Sequence, residues 1–200
     1  MKKSIYSIAT AIIVTIFLTG CSAQIKLPKE DLAKTYYTQT NMWFRNSHTY
    51  DGNENNRMIS DFSFYSVNYK YDKLIPVNTA IKIIRLGHNS IFFKIKNNNK
   101  IFAFNRTRQS RGKSLTQLFN RSFNTNMRNL NSYNTNTKKD IFDGRISIGM
   151  TKDEVIIARG FPPETKTKSL VNNTWYYWDQ KRNKVRFEFR DDNLDRIDYY

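Results

Sequence analysis

Cysteine occurs once in the 200 residues, at Cys21, so no disulfide can staple the fold from within the chain. Histidine occurs twice, at His48 and His88, too sparsely for a zinc site built by local spacing. Neither a Gly-x-Ser-x-Gly elbow nor a phosphate-cradling glycine loop is present. Asp191 and Asp192 are adjacent carboxylates, but they fall where a turn is expected. His48 and Asp51 lie in the polar stretch "SHTYDGNENN", which reads as a solvated loop. These absences disfavour an enzyme, and no catalytic residue, metal site or cofactor is expected. Acid is missing over one long stretch: from Lys73 to Lys139 there are 14 Lys and Arg residues and no Asp or Glu.

Only one long apolar run exists. It follows Lys2 and Lys3, stays uncharged from Ile5 to Leu18, and ends on Thr19 and Gly20. A basic start, a short apolar core and a small-residue exit describe a secretory leader. A membrane-spanning helix needs about 20 apolar residues, so an uncleaved anchor is the weaker alternative. "LTGC" at Leu18–Cys21 resembles the bacterial lipobox. That resemblance implies cleavage before Cys21, a diacylglyceryl group on its sulfur and a further acyl chain on its nitrogen. Each buried methylene contributes about 0.8 kcal/mol, and two signals suffice where one acyl chain holds a protein only marginally. Ser22, rather than aspartate, follows the cysteine, which resembles outer-membrane sorting in a two-membrane bacterium. The expected location is therefore the outer membrane, lipid-anchored and facing the periplasm. Residues 1–20 form the leader and 21–35 a tether.

Without the leader the chain has 31 basic residues (33 less Lys2 and Lys3) against 17 acidic ones. Outside the acid-free block the two signs balance, so the whole excess resides between Lys73 and Lys139. Such a block ordinarily points to nucleic acid, but export removes that partner. Anionic lipid headgroups, lipopolysaccharide and peptidoglycan remain, at about 1 kcal/mol per suitably placed cation for a lipid surface. Arg106, Arg108, Arg111 and Lys113 are the candidate contacts. The plainer alternative is a solvated, lysine-rich surface.

Three short β-rich runs, "AIKIIRL", "IFFKIK" and "KIFAFN", are separated by the turn formers "GHNS" and "NNN". They predict an antiparallel meander within a small, mostly-β domain over residues 36–105. Residues 106–136 read as a basic, Asn-rich linker with one short helix, in which Ser114 caps a run placing Leu115, Leu118 and Phe119 at helical spacing.

Residues 137–200 are the most patterned. A short helix over Lys138–Phe142 is capped by Thr137 and ended by Gly144. Thr151 with Glu154 makes a capping box for a second helix, which Gly160 and Pro162–Pro163 stop. Three strands follow, Thr174–Gln180, Val185–Arg190 and Leu194–Tyr199. Ile146, Gly149, Met150, Thr151, Val155, Gly160 and Pro162, then Trp175, Tyr176, Tyr177, Phe187, Phe189, Leu194 and Ile197, form an ordered set similar to the SmpA/OmlA, or BamE-like, outer-membrane lipoproteins. The resemblance covers about a third of the chain. It implies an α+β fold, with two helices and a three-stranded antiparallel sheet preceded by the small β domain. It also implies a non-catalytic accessory role in outer-membrane β-barrel assembly or envelope integrity, exerted by binding assembly proteins. About 100 additional residues and the cationic character depart from that family. In "WYYW", Trp175 and Tyr177 share one side of a strand, and Tyr176 and Trp178 the other. One side must be core. The second, Tyr176 and Trp178, is either a partner-binding anchor or a surface covered by the rest of the chain. A second functional class is an envelope-surface binder acting through the basic block.

Overall fold

Alternation of β-branched and aromatic residues builds the centre of the molecule. In the computed structural model, which describes residues 32–52, 56–67, 69–110, 112–179 and 183–200, strands β7 (Ala80–Leu86), β8 (Ser90–Ile95) and β9 (Phe102–Asn105) form an antiparallel meander. Ile83 pairs with Phe93, Phe93 with Phe102, and Ile91 with Phe104, so these side chains share a face. Gly87 N donates to Ser90 O at 2.8 Å in the first turn, and Asn97 takes a left-handed φ of 64° after the second strand.

Five more strands extend this meander: β1 (Thr35–Thr38), β2 (Met42–Asn46), β5 (Phe62–Tyr65), β6 (Lys73–Ile75) and β10 (Phe123–Asn124). The order across the sheet is β10-β1-β7-β8-β9-β5-β2-β6, and the β5–β9 pair is parallel. The eight strands curl into a half-barrel. Strands β3 (Tyr50–Asp51) and β4 (Met58–Ile59) pair separately. Inside the curl lies helix α1 (Leu115–Ser122), whose Ser114–Gln117 capping box is complete. Leu115, Leu118 and Phe119 are buried with Tyr36, Phe64, Phe93 and Phe104. Phe93 stacks on Phe102 at 5.6 Å, and Phe123 meets Phe93 edge-on at 5.6 Å. The stretch expected to be a linker therefore supplies core residues and an edge strand, because its few apolar side chains recur at helical spacing.

The expected α+β class with a BamE-like C-terminal fold is overturned. The described residues form 13 strands and only three helices of eight or nine residues, and the half-barrel dominates. Helices α2 (Thr135–Asp143) and α3 (Lys152–Arg159) and strands β11 (Thr174–Trp178), β12 (Lys184–Arg190) and β13 (Asn193–Tyr199) do occur. They do not close on themselves. Val155 and Ile156 of α3 pack on Trp175, Tyr177, Phe187 and Phe189 of the three-stranded sheet. Ile157 and Ala158, with Ile141 of α2, pack instead with Val77 and Leu130 from the half-barrel side. Helix α3 is thus apolar on two sides and joins both sheets. Helix α2 also begins earlier than the sequence predicts, with Asn134, not Thr137, as its N-cap; Thr137 N donates to Asn134 Oδ1 at 2.9 Å.

Asn41 seals the junction. It is fully buried between β1 and β2, and its Nδ2 donates to Ile141 O and to Ala158 O, the latter at 3.0 Å. Both carbonyls lie in the last turn of a helix, where intrahelical donors run out. Its Oδ1 accepts from Val77 N at 2.8 Å, and its backbone N donates to Ile157 O at 2.8 Å. Gly144 ends α2 at φ 65°, and a Cβ there would meet the Trp43 ring at 2.4 Å.

Candidate functional site

The acid-free block is dispersed by the fold. Four of its cations receive acids from elsewhere in the chain: Arg85 pairs with Asp51, Lys100 with Asp61, Arg121 with Glu164 and Arg128 with Asp153. Asp153 also accepts from Tyr133 Oη at 2.7 Å, and burial together with that carboxylate pushes the phenol up to about 12. Asp51 is therefore an ion-pair partner of Arg85 at 2.9 Å rather than a solvated loop residue. His48 is exposed, with Nδ1 at 2.6 Å from Ser60 O, which requires Nδ1 to carry the proton.

Of the predicted anion contacts, Arg106, Arg108 and Lys113 lie in the connection between β9 and α1. Arg106 Nε donates to Lys113 O at 2.8 Å and its guanidinium reaches Asn89 Oδ1 at 3.4 Å, which ties the two ends of that connection together. Arg106 and Arg108 are exposed and Lys113 is half-buried. None of the three forms an ion pair among the described residues. Arg111 and the lipidation candidate Cys21 lie outside the described residues.

One pairing was missed by reading along the chain. Lys82 of β7 and Lys94 of β8 stand directly opposite each other. Their neighbours Ile81 and Ile83 are buried in the half-barrel core, so both ammonium groups project from its other face. Like charges directly opposite are destabilising, and no acid pairs with either lysine among the described residues. The signal was latent in the two strand runs, and only the register makes it visible.

The aromatic side of β11 lies on the second sheet. Trp175 and Tyr177 are core, with 0% and 1% exposure, whereas Tyr176 and Trp178 are half-buried. Lys184 Nζ sits 5.1 Å from the Tyr176 ring centroid and Lys166 Nζ 5.8 Å from that of Trp178. Thr167 Oγ1 accepts from Tyr176 N at 2.8 Å, covering part of this edge. The rest of the face is electrically balanced: Arg186 pairs with Glu188 at 3.1 Å and Asp198 at 2.7 Å. No hydrogen bond, ion pair or ring contact joins Tyr176 or Trp178 to Arg106, Arg108 or Lys113 among the described residues.

Behind this strand Arg159 is 4% exposed, donates to Trp178 O at 2.7 Å, and lies over the Tyr177 ring. Burial lowers its guanidinium to about 10, which leaves it cationic at neutral pH. Burial also lowers Lys70, and the Arg159 charge adds to that. Among the described residues no three His, Cys, Asp or Glu side chains gather as metal ligands, and no helix is long and apolar enough to cross a membrane. Against known proteins the chain stands apart: no family model, no curated protein and no solved structure matches it.

Proposed function

We propose that this chain is a non-catalytic lipoprotein of the bacterial outer membrane, tethered through Cys21 and facing the periplasm, that works by binding the anionic envelope surface. The observation supporting this reading is electrostatic. After the fold has matched Arg85, Lys100, Arg121 and Arg128 with acids, Lys82, Lys94, Lys96, Arg106, Arg108 and Lys113 remain without an ion-pair partner among the described residues. Unmatched cations on a protein held at a membrane meet lipid phosphates or lipopolysaccharide, each adding about 1 kcal/mol near such a surface.

The test is vesicle capture. The native lipid-anchored protein is inserted into neutral vesicles and offered a second population of anionic or neutral vesicles. Anionic vesicles are captured, neutral ones are not, and capture collapses between about 0.1 M and 1 M salt as the screening length falls from about 10 Å to 3 Å. Salt-independent capture, or equal capture of neutral vesicles, defeats the reading.

A second reading is an accessory role in outer-membrane β-barrel assembly. It is favoured by the half-buried Tyr176 and Trp178, a pair of amphipathic rings of the kind enriched at protein interfaces. Isolation of the full-length native protein from gently solubilised envelope recovers a barrel-assembly subunit on this reading. A Tyr176→Ser/Trp178→Ser variant loses that subunit while retaining vesicle capture.

A further inference from the structure

The unmatched lysines of β7 and β8 do not stand on a plain surface. A groove of about 750 Å³ runs along them, bordered by Ile84 and Ile101 as well as Lys82 and Lys94, while Leu32 and Ile95, which also border it, pack towards the half-barrel core. Its volume lies in the range of sites that hold a single organic ligand, about 300–1,000 Å³. Lys96 and the Asn97–Asn99 turn close one end. Among the described residues no acid lines it. Lys94 is half-buried although Lys82, of the same charge, stands directly opposite on the neighbouring strand. A bulge at Ile83/Arg85 interrupts the register beside the groove, at Ile84.

These features have two chemical consequences. An aliphatic lining next to a row of lysines is amphipathic in itself, because lysine stems cover apolar surface while their ammonium groups stay at the rim. The facing ammonium groups repel each other, and an anion placed between them converts that repulsion into two charge-assisted hydrogen bonds. A free anion would leave the aliphatic wall wet, and a neutral apolar chain would leave the lysines unmatched. Only a molecule with both parts satisfies the whole site.

We infer that the groove on the outer side of β7 and β8 binds one anionic amphiphile, its acyl chain against Ile84 and Ile101 and its phosphate headgroup between Lys82 and Lys94. This deepens the envelope-surface reading, on which it rests for the source of the ligand: the protein takes up a single acidic lipid as well as touching a charged surface.

Photolabelling tests it. The full-length lipid-anchored protein, held in neutral maltoside micelles, receives a dodecyl phosphate with a diazirine on its alkyl chain, and the labelled peptides are mapped by mass spectrometry. Labelling is saturable, concentrates on Ile84 and Ile101, and is competed by unlabelled dodecyl phosphate but not by inorganic phosphate. The Lys82→Gln/Lys94→Gln variant weakens it by about tenfold or more, the scale of one lost charge-assisted bond, while Lys82→Arg/Lys94→Arg retains it. The glutamine variant folds at least as well as the native chain, since it relieves a like-charge pair; its thermal transition verifies this. Labelling spread over the chain, equal competition by inorganic phosphate, or no effect of the glutamine pair overturns the proposal. So does an absence of labelling, the result expected if residues preceding Leu32 or a second copy fill the groove. Vesicle capture that persists when labelling fails sinks the groove alone. Labelling that persists when capture fails sinks the envelope-surface reading alone.

Discussion

Asn41 ties both C-terminal helices to the half-barrel. One buried amide side chain satisfies the terminal carbonyls of two helices and the Val77 backbone N–H. Leucine has the same branched outline but no polar atoms, and Asn41→Leu strands Ala158 O and the Val77 N–H in an apolar environment, while Ile141 O keeps its bond from Gly144 N at 3.0 Å. Each stranded group costs about 1–3 kcal/mol, so the loss is about 2–4 kcal/mol after partial relaxation. Urea denaturation of the variant then shows a lowered midpoint with an unchanged slope. Nothing in "QTNMWF" marks Asn41 as central; asparagine next to a strand reads as a turn residue. Its role depends on carbonyls 100 and 117 positions away.

Among the elements, α3 is the one most plainly written in local sequence. Thr151 Oγ1 accepts from Glu154 N at 3.3 Å, and Glu154 Oε2 accepts from Thr151 N at 2.7 Å. Thr151→Ala removes one half of this box and costs about 1 kcal/mol, seen as a lower thermal midpoint. The β8–β9 and α2–α3 connections are held by carboxylates. The Ile101 backbone N–H at 2.8 Å holds the Asp61 carboxyl below the usual range, and Ser147 Oγ at 2.6 Å does the same for Asp140, with Arg145 adding to it. Because both folded values lie below the unfolded one of about 3.9, the stabilisation is fully present above that pH. It is lost as pH falls through the folded values. Urea midpoints therefore decline below about pH 4, and Asp61→Asn, which keeps an acceptor for Ile101 N–H, makes that decline shallower. Were Asp61→Asn as acid-sensitive as the native chain, Asp61 would not be one of the linked groups.

At the scale of the whole molecule the proposed function depends on the attachment of a cationic β structure to a bilayer. On that proposal, mass spectrometry of the native protein will find residues 1–20 removed and Cys21 acylated, and Cys21→Ala will leave the membrane fraction once the leader is gone. An intact, unmodified Met1 terminus in the cytosol removes the envelope from the proposed function and leaves the groove as a site for a soluble anionic amphiphile. The acid-free block supplies the surface charge. Its effective size is smaller than its count, since Asp51, Asp61, Asp153 and Glu164 fold onto it.

Local chemistry determined much by itself: the β7–β8–β9 meander from its alternation, the Ser114 cap and the Thr151–Glu154 capping box, and the inward Phe187 and Phe189 against the outward Arg186 and Glu188. These depend on neighbours a few residues away, and period and capping chemistry report such neighbours directly. The fold class did not follow from them. The β5–β9 parallel pair, the entry of α1 into the half-barrel and the two-sided packing of α3 join distant segments whose apolar residues have no local sign of which sheet they will meet. The groove belongs with these. Lys82 and Lys94 are 12 residues apart in the chain and adjacent only through strand register, because pairing between strands, unlike the order of residues within one, is settled when the sheet closes around its core.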